Sequence, residues 1–390
     1  MRSDTVRSVL LGLLPLVALA ALMVWIVRSR PADALRGDAP PVEVLSIQRV
    51  ELAPQEIAVS VLNDGPDPST IAQVQVDEAY WAFTQDPPGQ LDHLGRARLR
   101  IPYPWVQGET HLVKLVTATG LTFEHEIAVA APTPRPSWRF FGLFALIGLY
   151  VGILPVALGL LWYPLIRRLS PRALDFVLAL TLGLLLFLLV DALHEGFEAA
   201  AELPGSFQGV ALLAFGAAAA YLALDALGGW LARRQAGSET AWVTALLLAI
   251  GIGLHNFGEG LAVGAAFALA EAALGTLLIL GFTLHNLTEG LAIVAPLAKA
   301  RVSVRRLILL GLIAGAPTIA GAWLGGFVYS PVWAVLFLAL GAGAIAQVIG
   351  QIAKGVAGER PISTYFASGP AVAGLFAGFA VMYATGMLIQ

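Results

Sequence analysis

The sequence predicts a mainly α-helical, polytopic membrane protein: an eight-helix bundle preceded by an N-terminal membrane anchor and a small extracytoplasmic β-sandwich. Three observations predict it. Hydrophobic residues make up 58% of the 390 and charged residues only 13%, whereas a soluble chain carries roughly a quarter charged residues. Apolar runs long enough to cross a bilayer recur after Arg139. Between 31 and 138 the character changes: 14 of the 26 acids and 7 of the 23 bases lie there. The chain therefore reads as three parts: an anchor over 1–30, a β-sandwich-like domain with a linker over 31–138, and an eight-span domain over 139–390.

The same arithmetic excludes several classes. A net charge of -3 with no basic tract gives nucleic acid no surface to bind. With no cysteine, disulfide frameworks, thiolate metal sites and cysteine nucleophiles are excluded. Any metal site must use nitrogen and oxygen ligands.

The first apolar run, 9–27, follows Arg2 and Arg7 and is long enough to span. A cleaved signal peptide is the alternative, with Ala32-Asp33-Ala34 as a small-residue site; the length of the run favours an uncleaved anchor. Segments 43–51, 57–63, 70–78, 111–117 and 122–129 are rich in Val, Ile and Thr. Turn chemistry such as Asn63-Asp64-Gly65-Pro66 separates them. Short strands at this spacing predict a small sandwich. His93, His111 and His125 are scattered and read as structural, and 132–136 reads as a stiff Pro-rich linker.

Eight apolar segments follow, at 140–166, 174–201, 207–232, 241–270, 272–298, 307–329, 332–353 and 367–389. Loops 1–2, 3–4, 5–6 and 7–8 hold Arg167, Arg168, Arg172, Arg233, Arg234, Lys299, Arg301, Arg305, Arg306, Lys354 and Arg360. Loops 2–3, 4–5 and 6–7 hold no Lys or Arg. This asymmetry puts the basic loops in the cytoplasm, and the β domain and C-terminus outside an inner membrane.

Span 4 contains His255-Asn256-Phe257-Gly258-Glu259-Gly260-Leu261-Ala262. Span 5 contains His285-Asn286-Leu287-Thr288-Glu289-Gly290-Leu291-Ala292. The pattern HNxxEGLA thus occurs twice. Charges at membrane depth cost about 2.5–3.5 kcal/mol each even on the lenient scale, so they need a reason to be there. His and Glu at i and i+4 share a helix face. Each His lies about 15 residues, roughly 22 Å, from the turn near Ala270, so the motifs sit at matching depth in antiparallel neighbours. Two imidazoles and two carboxylates converging there suit a divalent cation, and Asn256 and Asn286 add amide oxygens. Two alternatives stand: His–Glu pairs bonded within each helix for packing, or a proton relay.

Span 2 ends with Asp191, His194, Glu195, Glu198 and Glu202 on one stripe. Asp191 and His194 are the stronger candidates for an outer vestibule that gathers cations. Asp175 and Asp225 read as interfacial, Gln347 and Gln351 as a polar pair on span 7, and Pro317 as a kink in span 6.

Residues 241–298, through the paired motif just quoted, resemble the ZIP (Zrt/Irt-like) metal-ion transporter family. The resemblance implies an eight-helix bundle with an inverted three-helix repeat around spans 4 and 5. It implies transport, not enzymic turnover: passage of a divalent cation, zinc (Zn²⁺) above all, with Fe²⁺, Mn²⁺ and Cd²⁺ as alternatives, into the cytoplasm. It implies metal ligands at His255, Asn256, Glu259, His285, Asn286 and Glu289, with Asp191 and His194 near the outer gate. The sequence also departs from the family. Gly258 and Thr288 stand where the family usually has proline before the motif glutamate, span 6 carries no acid for a second metal, and loop 3–4 lacks a His-rich tract. Two other functions fit the same residues: a membrane-embedded metal-dependent hydrolase, or a metal sensor signalling through the β domain. The expected partners are a divalent cation and membrane lipid, without nucleic acid. A homodimer is compatible, and the β domain's partner is left open.

Overall fold

In the computed structural model, the described residues are 2–29, 40–234, 240–268, 272–328, 330–357 and 361–387. Ala32-Asp33-Ala34, the turn at Ala270, and Arg360 lie outside them. The chain divides after Glu43 into two compact units. The first contains the helix Arg2–Ser29, with Pro15 inside it.

The second unit begins with eight strands: β1 Leu45–Ala53, β2 Glu56–Asn63, β3 Ile71–Val76, β4 Ala79–Trp81, β5 Thr84–Asp86, β6 Arg96–Ile101, β7 His111–Thr117 and β8 Thr122–Ile127. They form two antiparallel sheets, ordered β1-β2-β6-β5 and β4-β3-β7-β8. Val59, Leu99 and Ile101 from one sheet meet Val76, Val113 and Leu115 from the other in a fully buried core. This is the expected sandwich, with three strands the sequence reading lacked. The longest of them, β6, alternates buried Ala97, Leu99 and Ile101 with exposed Arg96, Arg98 and Arg100. Its period of two was visible, but arginine is not a strand-rich residue and masked it.

Asp77 and Glu78 join β3 to β4 with φ of 51° and 64°, the left-handed pair of a tight hairpin turn. Asp77 also anchors the neighbouring strand. It accepts from Tyr103 Oη at 2.6 Å, from the Leu112 backbone N–H at 2.9 Å and from His111 Nδ1 at 2.7 Å. Burial pushes the Asp77 carboxyl up, but these bonds outweigh it and hold the group below its ordinary value. Burial, and then the bond to Asp77, push Tyr103 up to about 12. His111 is a structural member of this network, as the sequence reading expected of it.

Among the described residues, seven helical stretches are long and apolar enough to cross a membrane. Spans 1 to 7 are Trp138–Ile166, Pro171–Ala201, Gly205–Leu231, Ala241–Ala268, Leu274–Leu297, Val304–Val328 and Pro331–Gly355. The eighth expected segment forms the 19-residue helix Gly369–Met387, and its last residues, 388 and 389, lie outside the description. The protein is thus a polytopic membrane protein with a β domain at its N-terminal side.

Packing follows an exchange rule. Span 4 packs on span 6 as span 5 packs on span 1, and span 7 packs on span 3 as span 2 packs on span 8. Swapping 1 with 6, 2 with 7, 3 with 8 and 4 with 5 leaves these pairs unchanged, as an inverted repeat requires. Close approach depends on missing side chains: a Cβ on Gly260 would lie 2.1 Å from Thr318 O, and one on Gly321 2.1 Å from Phe257 O.

The helix irregularities fall in spans 1 and 6, which the rule exchanges. Span 6 breaks at Ala316 between Val304–Gly315 and Pro317–Val328, as Pro317 predicted. Span 1 carries a π-helical turn at Leu149–Ile153, with Pro155 just beyond it. The motif helices run unbroken through both motifs, in keeping with Gly258 and Thr288 in place of proline.

Candidate metal centre

The two motifs meet in the middle of the bundle. His255, Asn256, Glu259, His285, Asn286 and Glu289 are all buried, none more than 7% exposed. Glu259 is the hub. His255 Nε2 lies 3.2 Å from Glu259 Oε1, one turn away on the same helix. His285 Nε2 contacts that same oxygen from span 5. The imidazole centroids are 6.1 Å apart, and Phe282 packs edge-on against His285. The ligand atoms of His255, Glu259 and His285 lie within 4.8 Å of one another. Of the two within-helix pairs of the packing alternative, His255–Glu259 forms, but His285 turns to Glu259 across the helix interface.

The asparagines are held by the neighbouring spans. Asn286 Nδ2 donates to Glu259 Oε2 at 2.9 Å and to Val151 O at 2.9 Å. Val151 is four residues before Pro155, which has no N–H to give its carbonyl; the amide supplies that donor. Asn256 Nδ2 donates to Ala314 O at 3.1 Å, in the last turn before the span 6 break. Each Asn therefore ties a motif helix to an irregular helix, with its amide oxygen facing away from that bond.

Several buried acceptors remain unmatched. Asn256 Oδ1 and Asn286 Oδ1 have no well-formed hydrogen bond. The same holds for both Glu289 oxygens, although Asn256 lies beside that carboxylate. Buried polar atoms without partners are rare and costly. A set of nitrogen and oxygen acceptors with two carboxylates fits a divalent cation: the carboxylates offset its charge, and the imidazoles and amides complete a small coordination shell.

The span 2 stripe divides. It covers about 100° of helix surface, wide enough to straddle an edge. Asp191 and Glu195 are half-buried, on the side of span 2 turned into the bundle. His194 is not brought to the centre. Its side chain is 70% exposed and pairs with exposed Glu198 at 3.2 Å. Glu195 is the residue the sequence reading named in the stripe without choosing. Its signal was angular, since it lies on the same side of the stripe as Asp191.

On the far side the lining is apolar and narrow. Leu184, Leu185, Leu188, Ala292 and Met382 with His285 and Glu289 line a cavity of only about 10 Å³, room for one water at most. These leucines precede Asp191 on span 2, so this narrow apolar stretch lies toward the Arg- and Lys-bearing loops.

Residues 231–356, which contain both motifs, match the family described as ZIP zinc transporter. This segment is similar to that family. The family is one of metal-ion transporters, and the buried His255–Glu259–His285 group lies inside the matched segment. No curated protein matches the chain.

Proposed function

We propose that this protein carries a divalent cation, Zn²⁺ first among them, across an inner membrane toward the cytoplasm through the paired motif of spans 4 and 5. The observation that carries the reading is the buried cross-helix group His255–Glu259–His285, beside the unmatched acceptors of Glu289, Asn256 and Asn286. In this reading 1–30 is an anchor, 31–138 an outer module and 139–390 the transport domain.

The cation arrives on the β-domain side, where Asp191 and Glu195 supply an attractive field. It exchanges water for His255, Glu259, His285 and Glu289, while Asn256 and Asn286 hold transient positions. As it binds, Glu259 exchanges two imidazole contacts for one metal contact. Release toward the basic loops needs Leu184, Leu188 and Met382 to part, which is the alternating-access step. The donor set accepts Fe²⁺, Mn²⁺ and Cd²⁺ as well, with affinity following the Irving–Williams trend among first-row ions.

The test is zinc flux into liposomes carrying the purified chain, read by an internal dye. The native chain gives saturable flux. The Glu259→Ala/Glu289→Ala double variant, folded and monodisperse, gives none. Tight zinc binding without flux in the native chain overturns the transport reading and favours a sensor.

A further inference from the structure

The β domain and the bundle enclose a cleft of about 340 Å³ that the transport path does not use. Its β wall is the outer face of sheet β1-β2-β6-β5. Register places Arg49 opposite Ser60, Ser60 opposite Arg98, and Arg98 opposite Asp86, so these side chains form one row across the sheet. Arg96, two residues from Arg98, adds a third guanidinium to the same face. The other wall is the start of span 7 at Ser330 and Pro331. Ser330 O accepts the first helical bond, from Ala334 N at 3.0 Å, and the first N–H groups of a helix have no intrahelical acceptor.

The charge balance is unusual for this domain. Residues 31–138 carry 7 bases and 14 acids, a net charge of -7, yet three of those bases and one acid line the cleft. The bundle wall contributes no carboxylate to meet them. Glu51, on the same sheet face, contacts Arg49 Nε at 3.1 Å and Arg98 Nη2 at 2.5 Å, which orients both guanidinium groups and leaves Arg96 as the cleft's unmatched charge. Guanidinium groups, a hydroxyl and a helix start around one cavity make a site for a phosphate group.

Position selects the source of the phosphate. The cleft lies at the end of a membrane span, and Trp333, 55% exposed, sits two residues into span 7. Exposed tryptophan at a span end marks the headgroup level of a bilayer. We propose that this cleft binds the phosphate of an anionic lipid headgroup in the leaflet on the β-domain side, so that lipid fastens the β domain to the bundle. The proposal needs only that the helices span a membrane, whichever ion they carry.

Native mass spectrometry of the full chain released from mixed phosphatidylglycerol and phosphatidylcholine bilayers tests it. The native chain retains phosphatidylglycerol in preference to phosphatidylcholine, and excess inorganic phosphate does not displace it. Arg96→Glu and the milder Arg96→Gln both weaken retention by about tenfold, the loss of one charge-assisted contact. Arg100→Glu, on the same strand and face but outside the cleft, leaves retention unchanged. Equal loss in the Arg96 and Arg100 variants, no preference between the lipids, or displacement by inorganic phosphate each overturns the proposal. Zinc flux on the same samples reports the transport reading separately.

Discussion

At the residue scale, the centre was legible because its chemistry is repeated. One HNxxE at membrane depth admits a packing role. Two at matching depth converge on Glu259, and both imidazoles meet there. What the sequence hid was direction: it did not show that His285 would choose Glu259 over Glu289, nor that His194 would face outward while Glu195 faces in. Those choices depend on helix rotation to within a few tens of degrees, which spacing alone does not set. In the β domain, Asp77 makes a prediction about acid. Its folded value lies below its ordinary 3.8, so its stabilising bonds are fully present above the unfolded value and lost as pH falls through the folded one. Asp77→Asn tolerates the left-handed turn but has no carboxylate to titrate. Near pH 7 the variant is less stable. Its difference from the native chain in β-domain unfolding, followed by tryptophan fluorescence, narrows below about pH 4. A difference unchanged from pH 7 to pH 3 contradicts this role.

At the element scale, the long apolar segments were read to within a few residues, because length and hydropathy decide a membrane helix. Breaks within helices were read only where proline marks them. Pro317 gave the span 6 break, but the π-helical turn of span 1 has no comparable signature ahead of Pro155. Asn286 shows why that turn persists: its amide serves the carbonyl that Pro155 leaves without a donor. Glycine contacts hold spans 4 and 6 together at backbone distance. Gly321→Val would place its Cβ 2.1 Å from Phe257 O. It forces the helices apart beneath the centre, at a cost of about 1–3 kcal/mol or more. The unfolding midpoint in detergent falls, and zinc affinity falls with it because Phe257 lies between His255 and Glu259. A variant as stable as the native chain contradicts the packing.

At the scale of the whole molecule, charge asymmetry and contact agree on which end is which. The β domain rests on loop 2–3, where Asp64 accepts from Gly205 N at 2.7 Å, Ser206 N at 3.2 Å and Ser206 Oγ at 2.6 Å. That loop carries no Lys or Arg. The same face receives Ser330 and Pro331 from loop 6–7, another loop without bases. The β domain therefore meets the end of the bundle that the basic loops do not occupy. The chain has no cysteine, so single cysteines report orientation without background. Exposed Glu109→Cys in the β domain is expected to react with an impermeant maleimide added to intact cells, and exposed Arg301→Cys in loop 5–6 only after lysis. The reverse pattern contradicts inward transport as drawn.

Zinc K-edge X-ray absorption on the loaded chain shows whether the cation sits between spans 4 and 5. Nitrogen and oxygen scatterers at about 2.0–2.1 Å are expected, with outer-shell features of two imidazoles, reduced to one in His255→Ala. A spectrum unchanged by both His255→Ala and His285→Ala would place the ion elsewhere in the chain.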